Sequence, residues 1–253
     1  MNELFDVAGK VVLITGGSRG LGRAMSLAFA ARAAKVVIAS RKLAPCEALA
    51  QEIRASGGEA LPLACHVGDW DALEGVVEQV VAAFGRIDVL INNAGMSPLA
   101  PSLLETSEAL FDKIIDVNLK GPTRLTALAA TQMARTGGGS IINISSLASL
   151  RPSPVTTVYS AAKAGLNALT AASAQEFAAV GVRVNAIVCG TFDTDATETM
   201  LGNPELLPHI VEPIALGRIG RPEEVVGAVL YFASDASSYT TGSCLGIDGG
   251  VRP

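Results

Sequence analysis

Tyr159 and Lys163, four residues apart, are the pair in this sequence best suited to chemistry. On a helix that spacing puts two side chains on one face, about one turn from each other. A free phenol has a pKa of about 10 and is barely ionised at neutral pH. An ammonium group held nearby favours the phenolate, lowers that pKa and makes the tyrosine a usable general acid/base. Ser146 follows an apolar β-branched run at 141–144, where its hydroxyl can donate to an oxygen reacting at Tyr159. Tyr-x-x-x-Lys is equally an arrangement for a solvated surface pair. It gains chemical meaning only if the rest of the chain supplies a cofactor.

The elements that would supply one begin at the N-terminus. The apolar run 11–14 predicts a buried strand, and it leads directly into Thr15-Gly16-Gly17-Ser18-Arg19-Gly20-Leu21-Gly22 and a helical pattern to about 33. A glycine-rich turn between strand and helix is a phosphate cradle: the backbone approaches closely, and the helix N-terminus presents free N–H groups. The spacing is G-x-x-x-G-x-G, not the commoner dinucleotide G-x-G-x-x-G. A second strand, 35–40, ends in Ser40-Arg41. An acidic residue there would bind a ribose 2′-hydroxyl and repel a 2′-phosphate, whereas Arg41 attracts one and Ser40 can donate to it. Arg19 adds charge from the glycine turn. The pattern predicts NADP(H), against the plainer reading of two solvated arginines.

Further along, a helix over 44–55, a strand over 59–64, a helix to 84 and a strand over 87–91 keep the alternation going. Such alternation predicts a parallel, doubly wound α/β sheet with ligand at the carboxyl ends of its strands. Asn92 and Asn93 can tie those ends together. In the helix pattern from about 107, Pro122 cannot donate to the Asn118 carbonyl. The expected local break leaves that carbonyl for a water connecting to Lys163. A helix over 155–180 carries the Tyr159 pair, and strands follow over 182–188 and 244–247. The irregular stretch 195–217, with three prolines among Leu, Ile and Met, suggests a substrate lid starting from about 190. His209 within it is expected to be a surface residue.

Composition narrows the classes. The 253 residues fit one domain, and the net charge of −5 offers nothing to nucleic acid or an anionic membrane. No apolar run reaches the roughly 18 residues of a membrane span. The first residues lack a signal-peptide pattern. Cys46, Cys65, Cys189 and Cys244 are scattered, and with His66 and His209 the only histidines no metal site is expected. A reduced, cytoplasmic setting is expected.

Together the motifs resemble the short-chain dehydrogenase/reductase family from Thr15 to Gly250. They are TGGSRGLG, NNAG (Asn92, Asn93, Ala94, Gly95), Asn118 in VNLKG, Ser146 thirteen residues before Tyr159, YSAAK, Asn185 with Gly190 and Thr194, and DGG at 248–250. The resemblance implies a single Rossmann domain over 1–253 with a central, mostly parallel seven-stranded sheet. It implies hydride transfer between nicotinamide and a carbonyl, with Tyr159 the proton donor, Ser146 polarising the oxygen, Lys163 binding ribose hydroxyls and Asn118 holding a relay water. It further implies cofactor contacts from the glycine turn, His66 and Val67 at the adenine, backbone contacts near Phe192, the Thr194 hydroxyl, and a homotetramer paired through the helices bearing Asn118 and Tyr159. Three departures stand out: His66 where Asp is common, Cys189 where proline commonly precedes Gly190, and Pro122.

The expected activity is an NADP(H)-dependent carbonyl reductase or secondary-alcohol dehydrogenase. Met96, Leu99, Leu147, Leu150, Val155, Phe192, Met200 and Leu201 suggest an apolar, bulky ketone. A 3-oxoacyl-(acyl-carrier-protein) reductase shares the motifs. It needs basic residues for an acidic carrier, and Arg135 fits that role, but Gln175 stands where a second arginine would be. A non-catalytic cofactor sensor would be expected to lose Tyr159, Lys163 or Ser146, and all three are present.

Overall fold

The computed structural model describes residues 3–100, 102–195 and 197–251. The apolar run Val11–Thr15 forms β1, buried along its whole length. A strand buried on both faces belongs in a parallel sheet covered by helices. The first half supplies them in turn: α1 (Gly20–Ala30), β2 (Lys35–Ser40), α2 (Leu43–Ala55), β3 (Glu59–Ala64), α3 (Ala72–Phe84) and β4 (Val89–Asn92). The second half runs α4 (Glu108–Ile115), α5 (Gly121–Arg135), β5 (Gly139–Ser146), α6 (Thr157–Phe177), β6 (Val182–Cys189), the short α7 (Glu198–Leu201) and α8 (Leu207–Val211), α9 (Val226–Ala233) and β7 (Cys244–Ile247). The sheet has seven strands in the order β3-β2-β1-β4-β5-β6-β7. Every pairing is parallel, where a mostly parallel sheet was expected, because a helix lies in each connection between consecutive strands.

Alternation along β1 divides the core. Val12 and Ile14 face Met25 and Phe29 of α1 and Phe232 of α9. Val11 and Leu13 face Leu73 and Val80 of α3 and Leu125 of α5. Strand order reverses between β1 and β4, and at such a switch point a crevice opens at the carboxyl ends.

Several boundaries differ from expectation for local reasons. α1 stops at Ala30 because the chain turns into β2 with Ala33 at φ 59° and the Ala33 N–H donating to the Ala30 carbonyl at 3.0 Å. The fourth strand starts at Val89, since Asp88 is occupied by Val11: its N–H donates to the Val11 carbonyl and its Oδ2 accepts from the Val11 N–H at 2.8 Å. The helix expected over 155–180 is α6 flanked by 3-10 turns at Pro154–Thr156 and Ala178–Val180. The break expected near Pro122 takes a definite form, a π-helical turn over Asp116–Lys120 in which Gly121 N–H donates to the Asp116 carbonyl. Gly121 is needed there, because a Cβ would run into the Val67 carbonyl.

Candidate active site

A cleft of about 570 Å³ lies at the carboxyl ends of the strands. Its first wall is the glycine turn between β1 and α1. Gly16 adopts φ 63°, and a Cβ on Gly22 would strike the Gly16 carbonyl and sit 2.8 Å from Asn93 Nδ2. Only bare backbone lets these segments meet. Asn93 Nδ2 donates to the Thr15 and Gly16 carbonyls at 2.9 and 3.1 Å. Thr15 Oγ1 accepts from the N–H groups of Asn93 and Ala94 at 3.0 and 3.1 Å. The ends of β1 and β4 are thereby tied, as the asparagine pair suggested. Asn92 reaches the other way, donating to Asn143 Oδ1 at 2.9 Å. Thr15 was not singled out as a site residue; its signal was a hydroxyl ending an otherwise apolar strand.

At the far end, Ser18 and Ser40 hydroxyls lie 3.1 Å apart, and Ser40 Oγ stands 3.0 Å from Cys46 Sγ. Arg19, Arg41 and Lys42 are exposed beside them and line the cleft. Lys42 is a third cation that sequence reasoning passed over. Among the described residues the one carboxylate in the cleft lining is Asp195, on the segment after Gly190. A glycine-walled cradle at a helix start, followed by hydroxyls and cations, fits the pyrophosphate and phosphate groups of a dinucleotide.

The inner end gathers the chemical groups. β5 delivers Ser146, whose Oγ accepts from the Ala148 N–H at 3.2 Å and whose hydroxyl acts to lower the pKa of the Tyr159 phenol. α6 carries Tyr159 and Lys163 on one face, with Lys163 Nζ 5.9 Å from the Tyr159 ring centroid. Lys163 is 4% exposed and donates to the Ile144 carbonyl at 2.8 Å. Burial pushes its pKa down to about 8, the nearby Cys189 opposing. The expected lowering of the Tyr159 pKa by Lys163 does not figure among the influences on the phenol in this structure. Burial raises the phenol, and the opposing influence is the Ser146 hydrogen bond. Cys189 is pushed up to about 12 and Cys65 to about 11 by burial, so both thiols stay protonated at neutral pH.

Asn118 is fully buried on the π-helical turn. Its Nδ2 donates to the Ile114 and Met96 carbonyls, both at 2.9 Å, and its Oδ1 accepts from the Met96 N–H at 3.2 Å. The side chain therefore pins the segment after Gly95, while Pro122 brings no N–H to the Asn118 carbonyl. Asn118 lies behind the cleft wall. The other site residues named from sequence line it: Gly16, Ser18, Arg19, Gly20, Leu21, Gly22, Ser40, Arg41, His66, Val67, Asn93, Ala94, Gly95, Ser146, Tyr159, Lys163, Gly190, Phe192 and Thr194. Of the apolar candidates, Met96 and Phe192 line it too, whereas Leu99, Leu147, Leu150, Val155, Met200 and Leu201 are not part of its lining. Val155 instead walls a small indentation, about 10 Å³, that ends on Tyr159.

Residues 16–252 match the family model described as enoyl-(acyl carrier protein) reductase. The chain belongs to the short-chain dehydrogenase/reductase family. It is 41% identical to the 3-oxoacyl-(acyl-carrier-protein) reductase FabG of Thermotoga maritima, over 96% of this chain and 98% of the relative. It is 37% identical to the L-rhamnose 1-dehydrogenase (NAD(P)(+)) of Azotobacter vinelandii, over 96% of each. A solved structure from Beutenbergia cavernae carrying NADP at low occupancy superposes with a TM-score of 0.93 at 34% identity, covering 98% of both chains. The chain is thus an oxidoreductase of the kind that acts on carbonyl and CH–OH groups with a nicotinamide cofactor. Among the described residues, no helix is long and apolar enough to cross a membrane.

Proposed function

We propose that this protein is an NADP(H)-dependent carbonyl reductase or secondary-alcohol dehydrogenase for an apolar, bulky ketone. The observation that carries the reading is the Ser146–Tyr159–Lys163 group at the inner end of a cleft whose outer end holds Ser40, Arg41, Lys42 and Arg19, with no acidic residue at the end of β2. When bound, the nicotinamide supplies or accepts the hydride. Ser146 Oγ orients the substrate oxygen, and Tyr159 Oη gives it the proton. Burial keeps the phenol protonated at neutral pH, which suits reduction. Lys163 binds the ribose hydroxyls next to the nicotinamide. The Asn118 carbonyl holds a water that resupplies the proton through Lys163. His66 and Val67 border the adenine.

The whole chain acts as one catalytic unit, with residues 190–217 covering the substrate. Met96 and Phe192 in the lining of the cleft favour an apolar ligand. The α6 face exposing Ala161, Ala164, Ala168 and Ala172, with Phe111 of α4 at 47% exposure, supports a homotetramer paired through these helices. Four free cysteines, three of them buried, suit a reducing cytoplasm. A 3-oxoacyl-(acyl-carrier-protein) reductase is the second reading, favoured by the Thermotoga maritima relative and by exposed Arg135. The test follows NADPH and NADH absorbance with a panel of bulky ketones and a 3-oxoacyl thioester. Turnover of ketones with NADPH supports the first reading, thioester preference selects the second, and equal use of NADH sinks the cofactor assignment.

A further inference from the structure

Gly190, Phe192, Thr194, Asp195 and Thr197 line the cleft, and the two sides of this segment are held differently. Towards the body of the fold, the Gly190 N–H donates to the Ile247 carbonyl and the Asp193 N–H to the Gly220 carbonyl, both at 2.9 Å. Towards the lid, one hydroxyl makes the connections. Thr197 Oγ1 accepts from the Thr194 N–H at 3.0 Å and lies 2.6 Å from the Phe192 carbonyl, 2.9 Å from the Thr194 carbonyl and 3.3 Å from the Thr194 hydroxyl. A hydroxyl has one proton and two acceptor positions. The shortest contact gives that proton to the Phe192 carbonyl. The remaining acceptor position faces the Thr194 hydroxyl. Thr197 is also the residue that opens α7, where its carbonyl accepts from the Leu201 N–H at 2.9 Å. Thr194 reaches across to the glycine turn, since a Cβ on Gly20 would sit 3.4 Å from its side chain.

We propose that Thr197 is a positioning residue whose hydroxyl shapes the 192–194 turn to receive the nicotinamide end of the cofactor and couples that turn to α7. This rests on the nicotinamide-cofactor reading above. Without the hydroxyl, the Phe192 carbonyl and the Thr194 N–H lose their shared partner and the turn loosens. The cradle and the Ser40–Arg41 end are built by other elements and keep their own hydrogen bonds.

Two ligands separate the ends of the cleft: NADPH, and 2′-phospho-ADP-ribose, which lacks the nicotinamide ring. Thr197→Val keeps the branched shape and removes the hydroxyl. In equilibrium titrations it weakens NADPH about tenfold and 2′-phospho-ADP-ribose by less than about twofold, the scale of losing one hydrogen-bonding group. Thr197→Ser restores NADPH affinity, and Thr197→Ala, a second variant, is read like Thr197→Val. Equal weakening of both ligands, or of neither, overturns the proposal. So does a parent protein that binds both ligands equally well. A parent that binds neither overturns the cofactor reading itself.

Discussion

The two ends of one cleft hold positive charge in opposite surroundings. Lys163 at the inner end is 4% exposed and pushed down to about 8 by burial. Arg19, Arg41 and Lys42 at the outer end stand in solvent. A charge out of water acts strongly on its neighbours and is itself titratable near neutrality. Charges in water act weakly one by one and are screened within about 10 Å at ordinary salt. The inner end thus works through the environment of a few groups, and the outer end through the number of its charges. Substitutions at the inner end should be large and pH-dependent, those at the outer end graded and salt-dependent.

The largest effect is expected at Tyr159. Tyr159→Phe keeps the ring and removes the transferable proton, so turnover falls by a factor of about a hundred or more. NADPH binding survives, weakened by no more than about tenfold, the scale of losing one neutral hydrogen bond. Single-turnover kinetics beside a binding titration checks both halves. Near-normal turnover would remove the inner end's claim to chemistry.

Lys163 comes next, read through stability. Its folded-state pKa, about 8, is below the unfolded value of about 10.4. Between those values the unfolded chain binds the proton more tightly, so stability rises with pH across that window. Below about 8 both states are protonated and the burial penalty is fully present. Lys163→Met removes this dependence. The difference in unfolding free energy between variant and parent should therefore move in the parent's favour from pH 7 to 10.5, by up to roughly 3 kcal/mol. Denaturant titrations at the two pH values measure it. The variant should also bind NADPH more weakly; unchanged binding with collapsed turnover would remove the ribose role.

The same contrast explains what was legible in the sequence. β2, β3 and β7 fall on the expected residues because apolar runs bounded by polar turns leave little choice. The glycine turn was legible because missing side chains are themselves the signal. The direction of the Tyr159 pKa was not, since proximity of Lys163 by helical spacing says nothing about how deeply α6 is buried or that Ile144 takes the ammonium. Pro122 announced a break but not its π-helical form, which depends on Gly121 packing against Val67. Thr197 stayed hidden because its partners, Phe192 and Thr194, matter only once the turn has folded back on itself.

At the outer end, Ser40→Asp with Arg41→Ala exchanges a donor and a cation for a carboxylate. Each charge-assisted bond to a phosphate is worth roughly 1.5–3 kcal/mol, so NADPH weakens by at least about tenfold. NADH is affected little or binds better. Paired titrations on parent and variant decide it, and a parent that already binds both cofactors equally would make these cations ordinary surface charges.

The smallest effect is the one that tests the contrast most directly. Arg19 carries one exposed charge on the glycine turn, with no side-chain cap bond at the start of α1. Arg19→Ala should weaken NADPH about threefold, in the range of a single exposed ion pair. Raising ionic strength from about 0.01 to 0.1 M shortens the screening length from about 30 to 10 Å and should weaken NADPH binding to the parent by a similar factor. Because Arg19 contributes part of that field, the variant's salt dependence should be shallower. Turnover at saturating NADPH should stay flat over the same salt range, since Lys163 is shielded from mobile ions by burial. A turnover that falls with salt as steeply as the affinity would mean that the inner end is as open to solvent as the outer one. The division of the cleft into a tuned end and a counted end would then fail.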